Sequence, residues 1–491
     1  MLEQTIPQII QKEGIKPEEI IGVGVDFTAC TVIPVDNEFT PLCFKPEFAN
    51  EPHAYAKLWK HHGAQKQADM ITEKAQELRY TELLNRFGGR VSSEYLLPKI
   101  WQVLDEAPEV YDSTFKFIEA ADWVINQLTG EEKRNSCCAG YKGMWSKKEG
   151  HLPKEILKAL NKRLENMVEE KLANDVYPLG MKAGEVNEHG AKITGLKEGT
   201  AVAVALIDAH VAVPACGVVA PGKMLMIMGT STCHMLLGEK ECNVPGMCGV
   251  VADGMIPGYY GFEAGQACVG DHFDWFISNC VPAEYALEAK DKGIDLHQLL
   301  TEKAQRQQEG EHGLLALDWW NGNRSTLMDA NLSGLLIGCT LTTKPEDIYR
   351  ALIEATAFGT KIIIETFEDS GIQIDEIIAC GGITEKNAFL MQVYADVAGR
   401  QIKISDSPQA PALGSAMFGA VAAGEQNGGF KSIVEAAERM SKIKDVIYQP
   451  NEMNNIKYDR LYCEYKKLYK FFGKSNRVMK VLKDYSVTNS V

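Results

Sequence analysis

The sequence predicts an α/β protein with buried strands, and the clearest evidence lies in residues 199–232. Two short apolar runs, one around Val204 and one around Ile227, are bounded by Gly and Pro. Such runs are typical of strands that are buried on both faces of a sheet. The first run ends at Asp208, and the second ends at 229–232, Gly-Thr-Ser-Thr. Ligands of open α/β sheets bind outside the carboxyl ends of the strands, so both ends are candidate site positions.

Asp208 and the turn after the second run each have two interpretations. We interpret Asp208 as a general base, and the turn, with Gly229, Thr230 and Ser231, as a phosphate-binding loop. An aspartate after a strand is also a common helix N-cap, and 209–216 is compatible with a helix, so spacing alone leaves both roles open. The hydroxyl-rich turn is by itself a weak phosphate signal. The two features together are more informative than either one.

Length, charge and cysteine usage restrict the class of protein. A chain of 491 residues predicts two or three domains. The net charge of −15 argues against a nucleic-acid partner, which needs clustered Lys and Arg, and favours a small-molecule ligand. The 13 cysteines include no CxxC pair and no histidine at zinc spacing, which favours reduced thiols and a cytoplasmic location. The first residues lack the features of a signal peptide. Asp208, His210 and Pro214 interrupt the apolar run 201–220, which argues against a membrane span.

The remainder of the first 220 residues predicts helices around one further strand. Residues 21–25 form an apolar strand that ends in a polar cluster at 26–31, another candidate site position. The other expected elements are an amphipathic helix at 2–13, a polar helical region at 52–86 with solvated His61 and His62, two helices within 92–129 capped by Gly130, a loop at 135–145 and a charged surface helix at 153–173.

Two charged residues lie in unusually apolar or glycine-rich surroundings. Lys142 is flanked by Gly140, Tyr141, Gly143 and Trp145, so it either points inward or is one more surface lysine. Glu263 lies in the glycine-rich stretch 249–270, which we expect to be a loop. A carboxylate in such surroundings is either paired or in contact with a ligand. The loop 319–324, Trp-Trp-Asn-Gly-Asn-Arg, is a further candidate for the wall of a cleft.

The composition changes near Pro221, where we place a domain boundary. Beyond it, 343–346 reads as a capping box that starts a long helix to about Ser370. A strand at 376–380 is followed at once by Gly381 and Gly382, which allow a ligand to approach the backbone closely. This pair has neither dinucleotide-fold nor Walker spacing. Helices are expected at 412–424 and 451–473.

Several segments together resemble the FGGY family of carbohydrate kinases, and within it the branch that acts on L-ribulose. The resemblance covers nearly the whole chain. Its most specific segments are VGVDFTACT (23–31), AGYKGMW (139–145), ALIDAHVAVPACG (205–217), MIMGTSTCHM (226–235), GYYGFEAGQACVGD (258–271), ALIEATAFGT (351–360) and ACGGITEKN (379–387).

The resemblance implies a two-domain actin-like, sugar-kinase fold of the ribonuclease H-like type, with ATP and sugar meeting in an interdomain cleft. Residues 1–220 would be the N-terminal sugar-binding domain and 221–491 the C-terminal nucleotide-binding domain. Members of the family begin with a β-hairpin that carries a DxGTxS-type phosphate loop, and this sequence has no such segment. The first domain is therefore expected to lack its first hairpin.

The resemblance also implies roles for individual residues. Asp208 matches the general base, and Lys142 and Glu263, with Ala29 or its neighbour Cys30, match the residues that hold the keto sugar. The matches for nucleotide binding are Gly229, Thr230, Ser231, Gly381, Gly382 and Asn387. ATP and Mg²⁺ are the implied cofactors, no residue is assigned to the metal, and a homodimer is compatible with the resemblance.

The implied reaction is ATP-dependent phosphorylation of L-ribulose on its C5 hydroxyl, as in L-arabinose catabolism. Two alternatives follow from the same residues. One is a kinase for another ketopentose, such as D-ribulose or xylulose. The other is a non-catalytic sugar- or nucleotide-binding protein, because the first phosphate loop is absent from the sequence.

Overall fold

The computed structural model describes residues 2–173 and 175–488. Strands in the first 220 residues are short and form several small sheets. β1, β8 and β7 form one sheet in the order β1-β8-β7, and the pairs β2 with β9, β3 with β4, and β5 with β6 form three more. The strands are β1 (Gly22–Val23), β2 (Asp26–Phe27), β3 (Val32–Val35), β4 (Lys116–Glu119), β5 (Arg134–Asn135), β6 (Val176–Tyr177), β7 (Lys182–Glu185), β8 (Ala201–Ala203) and β9 (Leu206–Ile207).

The following residues form one large mixed sheet, in the order β12-β13-β11-β10-β16-β17-β18. β16 pairs parallel with β10 and with β17, whereas the remaining pairs are antiparallel. Its strands and one separate hairpin are β10 (Gly222–Met228), β11 (Thr232–Gly238), β12 (Gly249–Ala252), β13 (Tyr260–Gln266), β14 (Leu315–Leu317), β15 (Leu335–Ile337), β16 (Ile374–Cys380), β17 (Ile402–Ser405) and β18 (Ile443–Tyr448).

Helices surround these sheets. Within the described residues, no helix has the length and apolar character that crossing a bilayer requires. The α-helices are α1 (Thr5–Glu13), α2 (Gln65–Glu77), α3 (Thr81–Asn85), α4 (Leu96–Glu106), α5 (Pro108–Ser113), α6 (Ala120–Thr129), α7 (Ser136–Tyr141), α8 (Lys154–Leu160), α9 (Met167–Lys171), α10 (Glu188–Thr194), α11 (Asp208–Ala215), α12 (Gly270–Cys280), α13 (Ala283–Lys292), α14 (Leu296–Ala304), α15 (Pro345–Asp369), α16 (Gly382–Lys386), α17 (Ala388–Ala398), α18 (Ala410–Ala423), α19 (Ile433–Met440), α20 (Glu452–Lys470) and α21 (Val478–Thr488).

A shared apolar core joins the two halves of the chain. Val211 of α11 and Met417 of α18 pack in the same cluster as Leu225 and Ile378, which belong to strands of the large sheet. Two larger apolar cores belong to one half of the chain each, one within residues 30–172 and one within 224–479. Helix α11 therefore lies between the small sheets and the large one, and this position determines where Asp208 lies.

Several predicted elements are confirmed, namely the strands at 225–228 and 376–380 and the helices at 412–424 and 451–473. Others are wrong. The expected strand at 21–25 is divided into β1 and β2, and the first organising run is divided into β8 and β9. The regions 52–86 and 153–173 are each broken into shorter helices, 135–145 contains β5 and α7, and a strand, β4, follows the helices at 96–113.

The capping box begins one residue later than predicted. Lys344 is the N-cap of α15, and its main-chain N–H donates a hydrogen bond to Oδ2 of Asp347 at 2.8 Å. Gly130 does cap α6, with a φ of 78° in the left-handed region. All 13 cysteines are free thiols, which agrees with the reduced state expected from the sequence.

Candidate active site

Asp208 is the first residue of α11 and follows β9 directly. The N-cap position belongs to Ile207, which provides no side-chain cap, and the Asp208 carboxylate accepts one hydrogen bond from the N–H of Ala209 at 2.7 Å. The N-cap interpretation of Asp208 is therefore wrong. Within the described chain no ion pair engages this carboxylate, so it remains available to a ligand.

The surroundings of Asp208 disfavour its charged form. Burial raises the pKa of the Asp208 carboxyl, and the negative charges of Asp26 and Glu263 raise it further, while the Ala209 hydrogen bond and His210 act in the opposite direction. β2 pairs in parallel with β9, with Phe27 opposite Ile207, which explains why Asp26 comes close. A carboxylate with a raised pKa is a better proton acceptor than an exposed one.

Glu263 lies on β13 rather than in the expected loop. Its side chain is buried, at 7% exposure, and it is paired on both oxygens. Oε2 lies 3.1 Å from Nε2 of His210, and Oε1 accepts a short hydrogen bond from Nη2 of Arg324. Burial by itself would raise the pKa of this carboxyl, but Arg324 and His210 outweigh it and hold the pKa well below its usual value. Glu263 is therefore a buried but ionised acceptor.

Lys142 points inward, as one of the two sequence interpretations predicts. It follows α7 directly, and its side chain is 11% exposed. Nζ lies 3.3 Å from Oε2 of Glu94 and 5.2 Å from the centre of the Tyr95 ring. Burial lowers the pKa of the Lys142 ammonium, but Glu94, Tyr95 and Glu263 raise it to a net value above normal. The ammonium group is a permanently charged donor with further N–H groups for a ligand.

The main chain at Cys30 is held from both sides. Its N–H donates to Oε2 of Glu119 at 2.8 Å, and its carbonyl accepts from Nζ of the fully buried Lys99 at 2.6 Å. The φ of Cys30 is 57°, in the left-handed region. Burial raises the pKa of the Cys30 thiol to about 12, so it is not a nucleophile. Cys30 is buried and its neighbour Ala29 is partly exposed, so Ala29 is the better placed of the two to meet a ligand.

The two glycine-containing turns lie side by side. β10 ends at Met228 and β16 at Cys380, and these parallel neighbours pair Ile227 with Cys380. The turn 229–231 is closed by a hydrogen bond from the Gly229 N–H to the Ser231 carbonyl, at 2.9 Å. The main-chain N–H groups of 269–271, at the start of α12, donate to carbonyls of this turn. Gly381 and Gly382 are exposed beside it, at the same edge of the sheet.

The side chain of Asn387 forms its hydrogen bonds with residues outside these two turns. Its side-chain oxygen caps α17 by accepting from the Leu390 N–H at 2.9 Å, and its amide nitrogen donates to Oγ1 of Thr301 at 3.1 Å. The side chain therefore fixes the helix that follows the Gly-Gly turn. These two hydrogen bonds give Asn387 a structural role that does not depend on contact with a nucleotide.

Sequence reasoning missed the partners of the charged site residues. His210 and Arg324, which both bind Glu263, were not singled out, although Arg324 lies in a loop that was expected to line a cleft. Glu94 and His62 were also missed: Glu94 binds Lys142, and His62 approaches Glu94 at 3.3 Å. Apart from the position of His210 two residues after Asp208, the sequence contained no signal for these contacts.

Two domain models of one family match the chain. They are "FGGY family of carbohydrate kinases, N-terminal domain" over residues 1–214 and the C-terminal domain of the same family over residues 224–423. A ribulokinase of Bacillus licheniformis is 59% identical over 98% of this chain and 87% of its own length. A ribulokinase of Geobacillus thermodenitrificans is 53% identical over 99% of this chain and 86% of its own length.

Solved structures of sugar kinases share the fold. A ligand-bound xylulose kinase of Lactobacillus acidophilus superposes with a TM-score of 0.79 at 18% identity, over 96% of this chain and 88% of its own. The glycerol kinase of Plasmodium falciparum with ADP gives a TM-score of 0.73 at 18% identity, over 95% of this chain and 87% of its own. The fold is thus the two-domain sugar-kinase fold that the sequence predicts, and the two matching domain models define a sugar kinase. The chain belongs to the FGGY family of carbohydrate kinases.

Proposed function

We propose that this protein transfers the γ-phosphoryl group of ATP to the C5 hydroxyl of L-ribulose, in the cytoplasm. The supporting observation is the identity of 59% to a ribulokinase over 98% of the chain, together with a half-buried carboxylate at Asp208 that forms no ion pair with a side chain of the described residues. The FGGY family uses ATP as phosphoryl donor. L-Arabinose catabolism is the pathway that this reaction would serve.

Asp208 acts as the general base in this proposal. Its carboxylate accepts the proton of the C5 hydroxyl while that oxygen forms a bond to the γ-phosphorus, and the bond from phosphorus to the β-bridging oxygen breaks to release ADP. Phosphoryl transfer depends mainly on positioning and on charge neutralisation, and base assistance contributes about 10²- to 10⁴-fold. The raised pKa of Asp208 supports this role because the group is then a stronger proton acceptor.

Lys142 and Glu263 hold the sugar in this proposal, with Ala29 and the main chain at Cys30 beside them. Lys142 offers charged N–H donors, and Glu263 offers lone pairs on an ionised carboxylate. Sugar hydroxyls both donate and accept, so one donor and one acceptor fix two of them in orientation. Both side chains are largely buried, which strengthens each hydrogen bond to a bound sugar.

The nucleotide lies against the edge formed by the 229–231 turn and Gly381–Gly382 in this proposal, and Asn387 holds the adjoining helix. Mg²⁺ bound with the nucleotide would supply positive charge that neutralises the phosphates. The described residues bring no three His, Cys, Asp or Glu side chains together as a metal cage. Magnesium bound through phosphates and water needs only one or two carboxylates, and no residue of this chain is assigned to it.

The test is turnover of the Asp208→Asn variant, measured as ADP release with L-ribulose and ATP. We expect a loss of at least about 100-fold in kcat with the affinity for L-ribulose largely retained. Glu188→Gln, which changes an exposed acid at the first residue of α10, is the control for effects on a helix start. Unchanged turnover in Asp208→Asn would refute the assignment. A panel of pentuloses tests the substrate, and a clear preference for xylulose or D-ribulose would replace L-ribulose.

A further inference from the structure

The carboxylate of Glu263 receives donors from two distant parts of the chain. Arg324, on the loop after β14, binds Oε1, and His210, in the first turn of α11, binds Oε2 at 3.1 Å. Each oxygen of a carboxylate has two lone-pair sites. These two bonds therefore leave a site on each oxygen for a ligand, and they fix the plane in which those sites lie.

Arg324 supplies the charge that keeps Glu263 ionised. A buried carboxylate without a countercharge takes up a proton, and a protonated Glu263 would lose acceptor capacity. The Arg324 side chain is 31% exposed and also approaches Sγ of Cys233 at 3.6 Å. Arg324 and Glu263 thus form a charge pair in which the Glu263 side chain is buried and the Arg324 side chain is partly open to solvent. Arg324 also lowers the pKa of Glu94, the partner of Lys142.

His210 connects Glu263 to the helix that carries Asp208. A carboxylate only accepts hydrogen bonds, so Nε2 of His210 carries the proton and donates to it. Nδ1 is then an acceptor, and it lies 3.0 Å from Sγ of Cys137, whose buried thiol is the donor. The imidazole also packs against the ring of Tyr141, at 4.1 Å between centres. The chain Cys137 to His210 to Glu263 fixes both the tautomer and the ring orientation.

We propose that Arg324 and His210 are positioning residues of the phosphoryl transfer, which act on the sugar through Glu263. Arg324 keeps the Glu263 carboxylate ionised, and His210 links it to α11 by a hydrogen bond. The sugar-binding carboxylate and the base Asp208 therefore keep a fixed position relative to each other. This inference rests on the proposed function, because it takes Glu263 as a sugar ligand. Neither residue needs to touch the sugar.

The two residues should affect different kinetic constants. Loss of the Arg324 charge weakens the Glu263 carboxylate as an acceptor. Arg324→Gln therefore raises the KM for L-ribulose about 10- to 100-fold, the equivalent of one charge-assisted hydrogen bond. Arg324→Lys, which keeps the charge, reverses part of this increase. Loss of the bond from His210 removes the direct link between α11 and β13. His210→Phe, which keeps a ring but has no donor, therefore lowers kcat as well as raising this KM. The KM for ATP stays within about twofold in all three variants.

The decisive experiment is a double-mutant cycle between His210→Phe and Glu263→Gln, read as kcat/KM for L-ribulose. If His210 acts through Glu263, the second substitution changes kcat/KM by less than about twofold in the Glu263→Gln background. Independent, multiplying effects would overturn the inference while leaving Glu263 as a sugar ligand. If Glu263→Gln alone leaves the KM for L-ribulose unchanged, both the sugar contact and this inference fail.

His312→Phe is the matched control. Nε2 of His312 lies 3.1 Å from Oε2 of Glu354, the same distance between the same atoms, and both side chains are buried. Its pair belongs to the core of the large-sheet half, so the change should lower the melting temperature without raising the KM for L-ribulose. If a His210 or Glu263 variant unfolds at the assay temperature, L-ribulose binding by the Arg324→Gln variant, measured by calorimetry without ATP, decides instead. Wild-type affinity in that variant would overturn the inference.

Discussion

Gly381 lies so close to Met228 that a Cβ on Gly381 would come within 2.3 Å of the Met228 carbonyl oxygen. Gly381 follows the last residue of β16 and has a φ of 104°, and Met228 is the last residue of the neighbouring strand β10. A side chain is therefore excluded twice, by the backbone conformation and by the space. The adjacent Gly382 has nothing within 4 Å of the position of a Cβ.

These two glycines give a matched pair of alanine substitutions. Gly381→Ala should lower the free energy of unfolding by about 1–3 kcal/mol because of strain at the positive φ, and should displace the turn. Gly382→Ala should leave the melting temperature within about 1 °C, since it meets no atom of the protein. If ATP lies against this turn, Gly382→Ala still raises the KM for ATP. Thermal denaturation measures the stability of both variants, and titration with ATP measures their KM. An unchanged KM for ATP in Gly382→Ala argues against the assigned nucleotide site.

Lys99 should matter for the sugar although it lies behind the site. Its buried ammonium group holds the carbonyls of Cys30 and Leu58, at 2.6 and 3.0 Å. Lys99→Met leaves both carbonyls without this donor and the left-handed Cys30 without its support, so we expect a loss of about 2–4 kcal/mol in the free energy of unfolding. The KM for L-ribulose should rise more than the KM for ATP. Denaturant unfolding and steady-state kinetics check both expectations.

The control for Lys99→Met is Lys12→Met, which removes a charge from a side chain that is 82% exposed. That variant should be indistinguishable from the wild type in stability and in both KM values. If Lys99→Met retains the wild-type KM for L-ribulose in its folded fraction, the main chain at Cys30 does not line the sugar site.

The sequence was a good guide where one apolar run forms one strand. β10 and β16 were predictable because their side chains are buried on both faces and their ends are marked by glycine. Glu263 was misassigned to a loop because 249–270 is rich in glycine. The structure gives the reason: a Cβ on Gly261 would come within 2.5 Å of the Tyr141 hydroxyl. Gly249, Gly254 and Gly261 make room for the side chain of Tyr141, which comes from the other half of the chain. Local sequence patterns do not reveal such a distant contact.

The division of the strand expected at 21–25 has a similar explanation. A Cβ on Gly22 would meet the Gly419 carbonyl oxygen at 2.0 Å, and one on Gly24 the Ser415 carbonyl oxygen at 1.8 Å. Helix α18 thus packs directly on this backbone from almost four hundred residues away, as the Ser415 to Asp26 hydrogen bond of 2.5 Å also shows. Asp208 could be singled out from its place after a strand, whereas Arg324 could not, because its partner Glu263 is distant in sequence.

The acid limb of the pH profile should report Asp208. Burial raises the pKa of this carboxyl, and a general base is active only when deprotonated, so kcat/KM should fall as the pH decreases through this raised pKa. Asp26→Asn removes a neighbouring negative charge that raises the pKa. The acid limb of that variant should therefore move to lower pH, whatever its absolute rate. If the acid limb of Asp26→Asn lies at the same pH as that of the wild type, the observed ionisation is not that of Asp208.

Asp318 should make the stability of the protein depend on pH. It is buried, accepts from Nε2 of Gln266 at 2.9 Å and from the Tyr465 hydroxyl at 3.1 Å, and its pKa is raised by burial from 3.8 to about 6. The unfolded chain loses this proton near pH 3.8, whereas the folded protein keeps it to about pH 6. The folded state therefore loses stability as the pH rises between these values, by about 3 kcal/mol in total.

Asp318→Asn removes this ionisation and keeps a carbonyl acceptor. Relative to the wild type, the variant should gain about 1.4 kcal/mol in the free energy of unfolding for each pH unit between pH 4 and pH 6. The gain should level off above pH 6. Urea denaturation of both proteins at pH 4.5, 5.5 and 7.5 measures the difference, and its slope is independent of any constant penalty from the new amide. A difference that does not change with pH would mean that Asp318 is ionised in the folded protein throughout this range.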